Sequence, residues 1–251
     1  MKKICGPFSD VETFTEWLGG VGNLRIFWAK PVSTIDIVSD KPPIFKVMWR
    51  RSRSGRGGVI IICPSNPYHC LPVIEDLDFP SDLHKFIFTY SEDFRGFDRW
   101  SKVWIYDVGA RFLEPNGDVY IEVYRYDTLN KDIFKLLRSI QRESWGFYVE
   151  PPRGDYVLIG YYGDEPVASA YYNPVSSNVD YGIHVVRRLW RNRIGTSMLR
   201  ECSSLASIEG WKWFSVVRVL RGVKPKSMDL RAISFYRANN PCLEINIYRL
   251  S

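Results

Sequence analysis

The segment Val185-Val186-Arg187-Arg188-Leu189-Trp190-Arg191-Asn192-Arg193-Ile194-Gly195-Thr196-Ser197-Met198-Leu199 carries a change of periodicity. Its first residues close an extended run expected over Val179–Val186. Its last residues open a helix expected over Ile194–Ile208, where Ile194, Met198, Cys202, Leu205 and Ile208 form one apolar stripe before Gly210. A strand, a basic turn and a helix N-terminus therefore follow within a few residues. The first turn of a helix presents backbone N–H groups without intrahelical acceptors and a partial positive charge. A diphosphate can rest there without a dedicated side chain. Arg187, Arg188, Arg191 and Arg193 add charge-assisted donors.

Working outward, Val119–Tyr126 reads as a strand, and Thr128 as a cap for a helix whose Ile133, Leu136, Leu137 and Ile140 share one face. Tyr156–Tyr162 and Pro166–Tyr172 form a hairpin through Gly163-Asp164-Glu165. Trp213–Val219 is a strand, Leu230–Ala238 a helix and Leu243–Tyr248 a last strand. The second half thus runs β-α-β-β-β-α-β-α-β. The turn Glu114-Pro115-Asn116-Gly117-Asp118 is the expected boundary between residues 1–116 and 117–251. In the first part, residues 10–19 read as a short helix. Leu24–Ala29, Thr34–Val38, Phe45–Arg50, Val59–Cys63 and Val103–Val108 read as strands, and Pro80–Phe86 as a helical turn before the apolar run Phe86–Tyr90. The fold class is α/β (α+β): a mixed sheet flanked by helices in residues 117–251, preceded by an α+β half.

Composition narrows the partners. The 251 residues are 45% hydrophobic and 25% charged, enough for a full core in one or two domains. No apolar run reaches about 18 residues and no secretory leader follows Met1, so the expected location is the cytoplasm, without a membrane partner. The net charge of +6 favours anionic partners. The five cysteines contain no Cys-x-x-Cys pair and the three histidines are scattered, so no metal site is expected. Gln141 is the sole glutamine, a trait shared with thermophile proteins, in which intracellular disulfides occur. Cys63–Cys70 and Cys202–Cys242 are then the candidate bridges.

The order of elements and two blocks of sequence resemble the GNAT superfamily of N-acyltransferases. VVRRLWRNRIGTSML is similar to the family's "V-x-P-x-x-R-G-x-G-I-G-T-x-L-L", and Asp229-Leu230-Arg231-Ala232-Ile233-Ser234-Phe235-Tyr236 begins a run similar to "N-x-x-A-I-x-F-Y-x-x-x-G-F". Arg193 stands at a signature glycine, Trp190 or Arg191 at the usual Arg/Gln, Asp229 at the asparagine and Asn240 at the glycine. An arginine at position 193 calls for an ordinary φ and a side chain directed away. The resemblance implies acetyl-CoA, or another acyl-CoA, as cosubstrate. It implies a strand that splays from its neighbour, with Val185, Val186 and Arg187 beside the pantetheine arm. Backbone groups of Arg191, Asn192, Arg193, Ile194, Gly195 and Thr196 would hold the diphosphate, and Asp229 would lie near the cofactor. Tyr236 matches the tyrosine that protonates the departing thiolate. The base that accepts the amine proton is Asp180 or His184, four residues apart and so on one face of their strand. Family bases on this strand are often carboxylates, whereas imidazoles titrate nearer neutrality. Glu143 and Glu150 could border the acceptor cleft.

Residues 1–116 show no catalytic motif. Tandem members of the family make a degenerate GNAT-like half one expectation for them, and an unrelated acceptor-selecting α+β domain the other. The loop Arg50–Arg56, flanked by Trp49, could hold nucleic acid through arginine–phosphate contacts and stacking. Two functions follow: an acyl-CoA-dependent N-acyltransferase acting on a primary amine, or a nucleic-acid-binding or regulatory protein on a retired scaffold of that kind.

Overall fold

A computed structural model describes Gly6, Thr13, Trp17 and residues 31–40, 43–50, 57–62, 84–89, 98–219 and 226–250, with side chains from residue 86 onward apart from those three and a few at segment ends. The strands are β1 (Pro31–Asp40), β2 (Pro43–Arg50), β3 (Gly57–Ile62), β4 (His84–Thr89), β5 (Asp98–Asp107), β6 (Val119–Arg125), β7 (Tyr156–Tyr162), β8 (Glu165–Asn173), β9 (Asn178–Val185), β10 (Trp213–Val219) and β11 (Leu243–Leu250). The helices are α1 (Lys131–Trp145), α2 (Ile194–Ile208) and α3 (Lys226–Ala238). The strands form one mixed sheet in the order β1-β2-β3-β4-β11-β5-β10-β9-β8-β7-β6. The α/β (α+β) class read from the sequence is the one observed. Among the described residues no helix is long and apolar enough to cross a membrane.

Expected and observed elements of the second half agree closely. Helix α2 and strand β10 have the bounds expected, Ile194–Ile208 and Trp213–Val219. Helix α1 differs at its start. Its cap is Asn130, whose side chain accepts from the Asp132 and Ile133 amides, whereas Thr128 Oγ1 donates to the Arg125 carbonyl in a preceding 3-10 turn. Helix α3 begins four residues ahead of Leu230. The helical turn expected at Pro80–Phe86 is corrected in part. Residues 84–86 are strand, because β4 pairs in parallel with β3 from Gly58↔His84 to Ile62↔Phe88. Thr13 and Trp17 are helical within the expected 10–19 segment; the Leu24–Ala29 segment lies outside the described residues.

Strand β5 precedes the turn at residues 114–118, yet β10 flanks it on one side and β11 on the other. Helices α1 and α2 cover opposite faces of β8. Tyr171 accepts from Gln141 of α1, and its neighbour Tyr172 lies by Cys202 of α2. The core between them includes Leu137, Ile140, Leu158, Met198, Leu199 and Val216, all buried. Gln141 is itself buried and also accepts from the Val149 amide. The pairing Cys202–Cys242 is corrected: Cys202 is a free thiol enclosed in the core, and Cys242, at the entry to β11, is disulfide-bonded elsewhere. Cys63 and Cys70 lie outside the described residues.

Burial raises the pKa of Tyr106, Tyr171, Tyr172 and Tyr236 above the ordinary 10.0. Between the unfolded and the higher folded value the native state holds the extra protons, so stability falls as pH rises. Lys102 acts in the opposite sense. Burial lowers its pKa from 10.5, and rising pH relieves that penalty. Four phenols outweigh one ammonium. The thermal midpoint is expected to fall from about pH 9 to about pH 11, as followed by circular dichroism.

Candidate cofactor and catalytic site

The site arises from a break in the sheet. Strands β9 and β10 are parallel and pair only at Ser215↔Asn178 and Val216↔Val179. Beyond Val179, β9 stays paired to β8 as far as Val185 and leaves β10. The gap is the mouth of a cleft of about 880 Å³. Ser144 and Trp145 of α1 border it from one face; Ile194, Gly195 and Thr196 of α2 and Phe235 and Tyr236 of α3 border it elsewhere.

A bulge shapes the β9 wall. Ser169 faces His184 and Tyr171 faces Asp180, so two residues of β8 span four of β9. Tyr181 and Gly182 absorb the excess with φ of 61° and 79°. Two extra residues preserve parity, so Asp180 and His184 keep a common face. They lie opposite positions roughly 7 Å apart along β8, where a regular strand would separate them by about 13 Å. Gly182 is required here twice over: its φ is left-handed, and a Cβ would sit 2.9 Å from Tyr236 Oη.

Tyr236 Oη accepts from the Ile183 amide at 3.1 Å. Its ring stacks on Trp104 with centroids 4.6 Å apart, and its carbonyl accepts from Tyr106. Burial holds the phenol pKa up, while the Ile183 amide and the Arg218 charge oppose the rise. At neutral pH Tyr236 therefore carries its proton. His184 lines the cleft, its ring 4.8 Å from that of Trp145. Asp180 is fully buried and accepts from Asn178, outside the described lining. Glu143 pairs with Arg188 on the surface, and neither it nor Glu150 borders the cleft.

The Ile183 amide points to the open edge, so by strand alternation the N–H and C=O of Val185 do too. The Val185 carbonyl accepts from Trp190 Nε1 at 2.8 Å, which leaves its amide for a ligand. Val186 donates to Val167 of β8, away from the opening. Arg187 sends Nε to the Ser144 carbonyl. After the 3-10 turn Arg187–Leu189, Arg191 and Arg193 take φ of 72° and 57°. The ordinary φ expected at Arg193 is thus corrected: the loop keeps a left-handed residue at that signature position without glycine. Arg193 turns away from the loop and donates to the Glu114 carbonyl. Asn116 Nδ2 holds the Asn192 carbonyl, and the Asn116 amide holds Ser197 Oγ. Among the described residues the amides of Arg191, Arg193, Ile194 and Gly195 meet no protein acceptor, whereas Thr196 N–H is turned back to the Arg193 carbonyl. Gly195 brings the two sequence blocks together, since a Cβ there would lie 2.9 Å from the Phe235 ring. Asp229 lies in the first turn of α3, its side chain outside the described residues.

A left-handed non-glycine residue costs about 1 kcal/mol. Arg193→Gly removes that strain and the Glu114 tether together, whereas Arg193→Ala loses only the tether. The glycine variant is expected to be more stable than the alanine variant by about 1 kcal/mol in urea unfolding.

Three lining residues carried weaker signals. Arg218 interrupts the apolar run of β10; its guanidinium carbon lies 5.6 Å from the centre of the Trp145 ring. Trp145 ends α1, just before the left-handed Gly146. Arg231 lies over the Trp190 ring at 5.2 Å and supplies from α3 a charge near the position where the Arg/Gln is absent. The loop 51–56 and the side chain of Arg50 lie outside the described residues.

A strand pair that parts over a basic loop and a helix N-terminus, with a tyrosine from the next helix at the gap, is consistent with a GNAT-like fold. No family model and no curated protein matches the chain. Among solved structures it is similar to a GCN5-related N-acetyltransferase from Kribbella flavida, at 11% identity and a TM-score of 0.48, over 94% of this chain and 93% of that one. It is also similar to a GCN5-related N-acetyltransferase from Sphaerobacter thermophilus, at 11% identity and a TM-score of 0.40, over 82% and 76%. An aminoglycoside acetyltransferase from an uncultured soil metagenomic sample matches at 16% identity and a TM-score of 0.38, over 51% of this chain and 91% of that one. These likenesses concern the fold alone.

Proposed function

We propose that the protein is an acyl-CoA-dependent N-acyltransferase, with acetyl-CoA as donor and a primary amine as acceptor. One observation carries the reading: the splay of β9 from β10 opens beside unpartnered amides at the start of α2, with Tyr236 Oη at the gap. These features fit coenzyme A. The amides of Arg191, Arg193, Ile194 and Gly195 suit a diphosphate, and the Val185 amide suits the pantetheine arm.

The acyl-CoA supplies the acyl group as a thioester. In this reading His184 takes the amine proton: it borders the cleft, and Asp180 is not among the described lining residues. The amine nitrogen bonds to the acyl carbon and the C–S bond breaks. Tyr236 gives its proton to the departing thiolate, whose basicity is close to that of a phenol. In this reading residues 117–251 carry the transfer chemistry. Residues 1–116 are a supporting α+β half, with Trp104 and Tyr106 against Tyr236, and Glu114 and Asn116 against the loop.

Titration calorimetry with acetyl-CoA tests the reading. Saturable binding is expected in the micromolar range typical of enzyme substrates. No heat at millimolar ligand would overturn it.

A further inference from the structure

We infer that Arg231 selects the acyl donor by holding the 3′-phosphate of coenzyme A; this rests on the acyltransfer reading above. Most arginines of the loop are already committed. Arg187 donates to the Ser144 carbonyl, Arg188 pairs with Glu143 and Glu165, and Arg193 donates to the Glu114 carbonyl. Arg231 borders the cleft from α3 and, among the described residues, meets no carboxylate or carbonyl. Its guanidinium carbon lies 5.2 Å from the centre of the Trp190 ring. That ring is itself fixed, because Trp190 Nε1 donates to the Val185 carbonyl at 2.8 Å. An indole steadies a cation without offering it an oxygen acceptor. The N–H fork of Arg231 therefore stays open to a phosphate.

Position along α3 decides which phosphate. Tyr236 stands buried at the reacting end of the cleft. Phe235 meets the start of α2, where a Cβ on Gly195 would lie 2.9 Å from its ring. The free amides at that point are the diphosphate cradle. Arg231 precedes Phe235 by four residues, so it shares that face one turn nearer the helix N-terminus, about 6 Å along the axis. Here α3 is open to solvent: Arg231 is exposed and Leu230 is 61% exposed. From Tyr236 through Phe235 to Arg231 the helix thus follows coenzyme A from thiol to diphosphate to nucleotide.

Beyond the diphosphate the nucleotide has one further anionic group, the ribose 3′-phosphate. A single sugar separates the two, a span that one helical turn matches. Leu230 borders the cleft next to Arg231 and offers apolar surface to the purine. Among the described lining residues there is no aspartate or glutamate to repel the added charge. The donor is then the free coenzyme A thioester. An acyl group on the phosphopantetheine arm of a carrier protein lacks this phosphate and is a poor donor.

Titration calorimetry with acetyl-CoA and with acetyl-3′-dephospho-CoA tests the contact, at about 0.15 M salt, where distant charges are largely screened. The two donors share thioester, pantetheine and diphosphate. Acetyl-CoA is expected to bind tighter by about tenfold or more, the yield of one charged hydrogen-bonded contact. Acetyl-4′-phosphopantetheine, which lacks the whole nucleotide, should bind no better than the dephospho donor. Arg231→Met should bring the ratio of the two nucleotide affinities close to one, and Arg231→Lys should retain part of it. Arg200→Met removes an exposed charge from α2 that does not line the cleft, and should leave the ratio unchanged. Because the ratio is taken within each variant, a loss of folded protein cancels. Equal affinity of the parent for both nucleotides, tighter binding of the phosphopantetheine than of the dephospho donor, or an Arg231→Met variant with the ratio intact would each overturn the inference. So would an Arg200→Met variant whose ratio falls as far as that of Arg231→Met. The same titrations separate the two readings. Both nucleotides bound equally would remove only the 3′-phosphate contact. Where neither binds, the transfer reading falls, and with it the inference.

Discussion

Tyr236→Phe is expected to lower turnover by about 10²- to 10⁴-fold, the usual contribution of a general acid. The affinity for acetyl-CoA should change less than about threefold in the same variant. The phenol is 2% exposed and sits where the strands part, with the Ile183 amide aimed at its oxygen. Phenylalanine keeps the stack on Trp104 and removes the proton donor. The Ile183 amide, at the mouth of the cleft, can then turn to water. Steady-state rates and calorimetry together check the split. Affinity and turnover falling in step would show that the hydroxyl organises the cleft instead of giving up a proton.

The second large effect is on stability. Lys102 has a side chain with no exposed surface, and its Nζ lies 2.5 Å from Glu244. Arg237 holds the same carboxylate at 3.0 Å. Replacing Glu244 with leucine removes the anion that neutralises a buried ammonium. The expected loss is about 3 kcal/mol, the low end for a broken buried pair, because Glu244 is a quarter exposed. Replacing both partners, as Lys102→Met with Glu244→Leu, should return to within about 1 kcal/mol of the parent, since neither charge is then buried. Urea unfolding of the two single variants and the double variant completes the cycle. A double variant as unstable as Glu244→Leu would show that packing, not charge, sets the loss.

What the sequence disclosed was local. The stripe Ile194, Met198, Cys202, Leu205 marked α2 because helical periodicity is written within a few turns. The FY pair at Phe235 and Tyr236 was marked by its resemblance to the GNAT block and not by periodicity. The positions of β5 and β11 were hidden, because their pairing joins residues far apart in the chain. The bulge at Tyr181 and Gly182 was hidden too: only the facing strand reveals that two residues span four. Arg193 gave the wrong backbone expectation, since its left-handed φ is imposed by the loop and not by its own preference. Arg218 was written in plain view as a charge amid valines, but only the parting of β9 from β10 gives it a cleft to face.

The place of β11 has a consequence for how the molecule is made. Strand β11 alone joins β4 to β5, and it leaves the ribosome after every other strand of the sheet. Until then Ile87 and Phe88 on one side, and Val103 and Ile105 on the other, keep bare strand edges that the finished protein buries completely or nearly so. Sheet closure is therefore a late event of high contact order, completed after synthesis of the strands it unites. The interval between is when this chain most needs a chaperone.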